Sequence, residues 1–197
     1  MMQNHLTHNW VWGWPGVLNK ELCNSIIKEY SENKKEFKKG LIGDDKNEDK
    51  LDLNIRQTDI MWLDQMTPIG CIMQAYANAA NYYAGWHFNF AHMESVQFSK
   101  YTEEENSFYD WHVDSAPPNS AGLQRKVSIV VLLSDPKDFE GGQFEMAQYK
   151  GDDTNHKILE KQGSILVFPS FMNHRVTAVT KGCRYSAVSW MMGPAFK

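Results

Sequence analysis

From residue 94 onward the chain is written in short apolar or alternating runs, at 94–101, 109–113, 127–133, 143–146, 164–168, 175–179 and 185–191. Turn-forming residues punctuate these runs, as in PPNSAG (117–122), EGG (140–142), KGDD (150–153) and TKG (180–182). Runs of this length, bounded in this way, predict strands, because apolar side chains at alternate positions line one face of a pleated ribbon. Many short strands in one stretch narrow the options to a barrel or a sandwich.

The first half of the chain has a different period. Leu22, Ile26 and Tyr30 recur at helical spacing behind Asn19, a candidate N-cap, and predict a helix over 20–32. Thr67 and Pro68 open a second helix, whose apolar face of Ile69, Met73, Tyr76, Ala80 and Tyr83 runs to Gly85. Between them, residues 33–50 are dominated by Lys, Asp and Glu with Gly40 and Gly43 as breakers, which reads as a solvated loop or as a lid. Helices first and strands afterwards predict a mainly β chain with helices packed outside a barrel. The 197 residues suit one domain, with 1–93 as a helical support region and 94–197 as the β core.

Composition removes several classes of function. Twenty Lys and Arg against 24 Asp and Glu leave a formal charge of −4, so no bulk electrostatic case exists for wrapping a nucleic acid. The longest apolar stretches, such as 129–133, are far short of a membrane span. The opening residues show no basic leader followed by an apolar run, and Cys23, Cys71 and Cys183 form no CxxC pair; reduced thiols in a cytoplasm are the expectation. Trp10, Trp12 and Trp14 read as core or edge packing, and His87 and His92 as packing or surface positions. His156 falls in an expected hairpin loop, and Gly141-Gly142 in a turn rather than a phosphate loop.

One His has a carboxylate two places away in a strand-like context: Trp111-His112-Val113-Asp114. Side chains at i and i+2 of a strand share a face, so His112 and Asp114 can present a nitrogen and an oxygen to one point. That spacing alone recurs by chance. His174 follows the apolar run ILVFP (165–169), where the chain can return beside the first strand and supply a third donor. Two imidazoles and one carboxylate on one face of an ion leave coordination positions open, which suits non-haem Fe(II). Ten residues further on, Arg184 opens the alternating run RYSAVSW, where a guanidinium on a rigid strand suits a two-pronged contact to a carboxylate. Tyr101 is placed to add a hydroxyl to the same anion.

The run from Glu94 to Pro194 resembles the Fe(II)/2-oxoglutarate-dependent oxygenases of the prolyl 4-hydroxylase-like, PKHD type found in bacteria and phages. The matching pieces are VQFSKY, FYDWHVD, VSIVVLLSD with FEGGQFEM, GSILVFPSFMNHRV and GCRYSAVSW, in that order; IRQTDIMWL (55–63) and AANYYAGWHF (79–88) resemble its N-terminal support region.

The resemblance implies a double-stranded β-helix, a jelly-roll barrel braced by helices. It implies iron held by His112, Asp114 and His174, with 2-oxoglutarate bound by Arg184, by Tyr101, and more weakly by Ser186, which shares the face of Arg184. The loop TEEENS (102–107) departs from the family, which often has a Gly after its Tyr. The implied reaction uses O2, with ascorbate as reductant, to hydroxylate an unactivated C–H bond with release of succinate and CO2. Asp114 excludes the halide-incorporating relatives, which lack that carboxylate. The acceptor stays open between a prolyl residue of a protein or peptide and a small molecule such as a free amino acid, with Arg56 and Arg125 as candidate substrate contacts. A non-catalytic metal-binding jelly-roll module is the reading of another class.

Overall fold

The computed structural model describes residues 10–32, 37–43, 49–147 and 159–196. His5, His8, His156, the KGDD turn and parts of the charged run (33–36 and 44–48) lie outside the described residues.

In chain order the elements are β1 (Trp12–Trp14), α1 (Lys20–Ser31), β2 (Lys38–Lys39), β3 (Ile42–Gly43), β4 (Asp49–Lys50), β5 (Arg56–Gln57), β6 (Asp59–Leu63) and α2 (Pro68–Tyr83). There follow β7 (His92–Met93), β8 (Val96–Thr102), β9 (Phe108–His112), β10 (Leu123–Leu132), β11 (Phe139–Gly141), β12 (Phe144–Met146), β13 (Ile165–Pro169), β14 (His174–Val176) and β15 (Val179–Pro194). Asn19 caps α1 by accepting from the Leu22 amide, and Thr67 caps α2 by accepting from that of Gly70, each satisfying an amide the first helical turn leaves without a partner.

The strands form a nine-stranded sheet in the order β1-β13-β10-β15-β8-β6-β2, with β7 and β11 also on β15, and a four-stranded sheet in the order β12-β14-β9-β5. Among the described residues these pairings are antiparallel. From β8 the chain alternates between the two: β8, β10, β13 and β15 lie in the large sheet, while β9, β12 and β14 lie in the small one. That alternation is the winding of a double-stranded β-helix, the jelly-roll barrel.

Strand alternation divides the core in two. Val127, Ile129 and Val131 of β10 face outward onto Cys23 and Ile26 of α1 and Ile69, Met73, Ala77 and Ala80 of α2. Val130 and Leu132 point the other way, between the sheets, where they join Leu166, Phe168, Phe144, Met146, Val176 and Val179. Tyr83, expected on the apolar face of α2, is exposed because that face turns through Ala77 and Ala80 instead. The Trp-rich start packs at the edge: Trp14 meets Tyr76 edge-on at 4.7 Å and Trp12 stacks on Tyr83 at 6.3 Å. No helix among the described residues is long and apolar enough to cross a membrane.

Other expectations change as well. TKG is not a turn: it lies within the 16-residue β15, where Lys181 and Gly182 pair with β11 and Gly182 absorbs a positive φ of 72°. The run 175–179 is two strands, because the chain crosses from the small sheet to the large one at Thr177 and Ala178. In the charged run, Lys38–Lys39 adds an edge strand to β6, while Ile42–Gly43 pairs with Asp49–Lys50.

Candidate metal centre

His112 and His174 come from adjacent strands of the small sheet and face each other in register, with ring centroids 4.2 Å apart. The register between them slips: His174 pairs with His112 but Val176 pairs with Tyr109, so Asp110 and Trp111 together oppose Arg175. This is a β-bulge, and it changes the phase of β9. Tyr109 and His112, three apart, therefore share a face, and their rings stack at 3.5 Å and 9°.

The bulge also aims the imidazole. The Asp110 carbonyl lies 2.7 Å from His112 Nδ1, and the Met172 carbonyl lies 2.9 Å from His174 Nδ1. A backbone acceptor at Nδ1 fixes the proton there and leaves each Nε2 lone pair free, the orientation in which histidines ligate metals.

Asp114 sits two residues beyond the end of β9, in a bend rather than in the strand. The amides of Asp114 and Ser115 both donate to the Ser170 carbonyl at 2.9 Å, which fastens the bend to the end of β13. The i, i+2 relation with His112 survives: His112 Nε2 lies 3.7 Å from Asp114 Oδ1, and His174 Nε2 lies 3.5 Å from Asp114 Oδ2. One ligand atom from each of the three residues lies within 4.8 Å of the others, a spacing one ion can span.

The electrostatics prepare these groups for a cation. Burial, with His174 alongside, pushes the His112 imidazole down to about 4 despite Asp114, so it is neutral at ordinary pH. Burial alone would raise the Asp114 carboxyl, but His174, His112 and Arg125 and the Ser128 hydrogen bond prevail and hold it at about 2. A neutral imidazole and an ionised carboxylate are the forms in which these side chains bind metal. Phe168, edge-on to His174 at 4.8 Å, and Phe144, at 5.5 Å, wall that ring from water.

Deeper in the barrel, Arg184 is 2% exposed and pairs across the ladder with Tyr101, whose ring centre lies 5.4 Å from its Cζ. Its Nη1 donates to Ser186 Oγ at 3.2 Å, so all three residues expected around one anion are in one place. No carboxylate among the described residues forms an ion pair with Arg184, and burial pushes its guanidinium below its ordinary value. A buried unpaired cation costs on the order of several kcal/mol, which an incoming carboxylate offsets. Gly142 makes room for it: a Cβ there would lie 2.9 Å from Arg184 Cδ, and the residue has a φ of 63°.

Arg125 is engaged with protein groups, forked onto Glu94 at 2.7–3.2 Å and lying over Trp190 at 3.7 Å. Arg56 is buried against Tyr109. Three contributors escape a sequence reading: Tyr109, Ser128 and Ser170. Ser128 donates to Asp114 Oδ2 at 2.7 Å and lies 3.0 Å from Ser170 Oγ. The available signal was a serine at an inward position of the apolar run VSIVV. The three cysteines are free, and burial pushes the Cys183 thiol up, as in an inert thiol.

The sequence pattern of the 2OG-Fe(II) oxygenase superfamily matches residues 96–192. A PKHD-type hydroxylase of Shewanella frigidimarina is 38% identical over 98 residues, which are 48% of this chain and 41% of that protein. The matched stretch thus spans less than half of the relative. A Pseudomonas putida prolyl-4-hydroxylase superimposes with a TM-score of 0.68 at 21% identity, covering 96% of this chain and 95% of its own. A Trichoplax adhaerens prolyl hydroxylase, solved with a peptide fragment of a hypoxia inducible factor oxygen degradation domain, gives 0.65 at 18% identity over 94% of this chain and 84% of its own. At these identities the superpositions establish a shared fold.

Proposed function

We propose, from the match of residues 96–192 to the pattern of the 2OG-Fe(II) oxygenase superfamily, that the chain is a 2-oxoglutarate-dependent dioxygenase that hydroxylates an unactivated C–H bond. His112, Asp114 and His174 hold ferrous iron, and Arg184 and Tyr101 take the distal carboxylate of 2-oxoglutarate. The observation that carries the reading is Arg184, buried in the same barrel as the three ligands with no described carboxylate to balance it.

Bound there, iron and 2-oxoglutarate supply the oxidising power to put one atom of O2 into a C–H bond, with succinate and CO2 as co-products and ascorbate keeping the metal ferrous. The chain's own residues bind and orient. Backbone carbonyls of Asp110 and Met172 hold the imidazoles, Ser128 holds Asp114, and Ser186 holds Arg184. Phe144, Phe168 and Val179 keep water from the barrel interior.

The acceptor we propose is a prolyl residue of a protein or peptide, with residues 1–93 bracing the jelly roll as part of one oxygenase domain. Val113 and Phe171, one and three positions from ligand residues, are 48% and 41% exposed and offer apolar surface for a pyrrolidine ring. Support for a peptide acceptor also comes from the peptide in the Trichoplax complex.

Succinate release from 2-oxoglutarate, with Fe(II), ascorbate and oxygen, tests the reading against an Asp114→Ala variant. Turnover in the parent and almost none in the variant is expected; equal rates would return the chain to a non-catalytic metal-binding module. Mass spectrometry of a proline-containing peptide library then seeks a gain of one oxygen.

A further inference from the structure

Arg56 is a buried cation on the rim of the small sheet, 5% exposed, and its side chain meets three separate parts of the fold. Nη1 donates to the Leu41 carbonyl at 2.9 Å, and Nη2 donates to Gln97 Oε1 of β8 at 3.0 Å. One face of the guanidinium lies over the Tyr109 ring, with Cζ 4.5 Å from its centre. Gly40 presses on the group as well: a Cβ on Gly40 would sit 2.6 Å from Arg56 Cζ and 3.0 Å from Nη2, and closer still to Nε. Nε itself has no hydrogen-bond partner.

No carboxylate among the described residues forms an ion pair with this guanidinium. Its planarity is used instead. Tyr109, against which it lies, stacks in turn on His112 at 3.5 Å and 9°. The register pair Arg56 with Tyr109 joins β5 to β9, while the Gly40 amide donates to the Thr58 carbonyl at 2.8 Å and anchors the other end. A contact series thus runs from Gly40 through Arg56 and Tyr109 to the candidate iron ligand.

We propose that Arg56 is a positioning residue, which couples the placement of residues 37–43 to the orientation of the His112 ring through Tyr109. The inference rests on the reading of His112 as a metal ligand. A bound molecule that shifts residues 37–43 thereby alters the metal site without touching it. Lysine cannot replace the arginine, since an ammonium has neither the flat face nor the fork that reaches Leu41 and Gln97 together.

Co(II), a spectroscopic stand-in for the ferrous ion, tests this in Arg56→Lys, Gly40→Ala, Tyr109→Leu and Tyr109→Phe variants. Outer residues that orient a metal-bound histidine are worth about 10- to 100-fold in metal affinity. Arg56→Lys, Gly40→Ala and Tyr109→Leu should lose affinity in about that range and shift the Co(II) visible bands, whereas Tyr109→Phe, which keeps the flat ring, should match the parent. In the metal-free protein, the His112 ring protons should be shielded by Tyr109 and lose part of that shift in Arg56→Lys. Parental Co(II) affinity, bands and ring-proton shifts in Arg56→Lys would overturn the inference, as would Tyr109→Phe behaving like Tyr109→Leu. Should Arg56→Lys not fold, the two Tyr109 variants decide alone. A parent that binds no Co(II) overturns the metal reading itself, whereas a parent that binds Co(II) and releases succinate, with variants unchanged, sinks the coupling only.

Discussion

Ser128 Oγ donates to Asp114 Oδ2 at 2.7 Å, joining the middle of an apolar strand to a carboxylate 14 positions earlier that lies just past the end of another. Both groups are buried, and Ser170 Oγ lies 3.0 Å from the same hydroxyl. Ser128→Ala removes a donor from a buried carboxylate oxygen. The metal-free protein should lose about 1–3 kcal/mol of stability, read by chemical denaturation in the presence of a chelator. Iron affinity should fall about 10- to 100-fold, read by titration. Unchanged stability and affinity would mean that Ser170 serves Asp114 unaided.

Acid should act on the metal-free protein through His112. Its folded value is pushed down to about 4 from an ordinary 6.5, so the folded state favours the neutral ring. The unfolded chain binds more protons between those values, and stability falls as pH drops through that window. The contribution is complete above 6.5 and gone below 4, worth roughly 3 kcal/mol at most. Asp114, held at about 2 against 3.8, adds a second loss as pH falls from 3.8 towards 2. An NMR titration of the His112 ring protons checks the first step, and a midpoint near 6 would refute it.

Arg184 separates stability from binding. In Arg184→Met a buried cation without a carboxylate partner among the described residues gives way to an apolar chain of similar length. The ligand-free protein should therefore be unchanged or more stable by about 1–4 kcal/mol, while 2-oxoglutarate binding is lost and metal affinity stays near the parent's. Calorimetry with metal and 2-oxoglutarate titrated separately, beside thermal unfolding, reads all three. A destabilised variant with intact 2-oxoglutarate binding would make Arg184 a structural residue.

The parts of this site that follow a local period are legible in the sequence. Arg184 and Ser186 share a face because they are two apart in a strand, and they hydrogen-bond. Asn19 and Thr67 announce their helices because capping is a contact between near neighbours. Contacts made across the fold leave no such trace: Arg125 finds Glu94 31 positions away, and Ser128 finds Asp114 from another strand. Tyr109 was hidden for a sharper reason. A regular strand sends residues three apart to opposite faces, and only the slip opposite Arg175 brings Tyr109 over His112. Thr180 to Gly182 misled in the other direction, since a polar, glycine-bearing triplet looks like a turn until β11 is found pairing with it.

The extra residue in β9 makes the barrel's inner lining a matter of parity. Removing either Asp110 or Trp111 would leave the three ligand residues and Arg184 in the chain, yet swing Tyr109 to the opposite side from His112 and disturb the backbone carbonyl that steers the imidazole. A change of side chain around the ligands should therefore cost this chain less than the gain or loss of a single residue between 109 and 112.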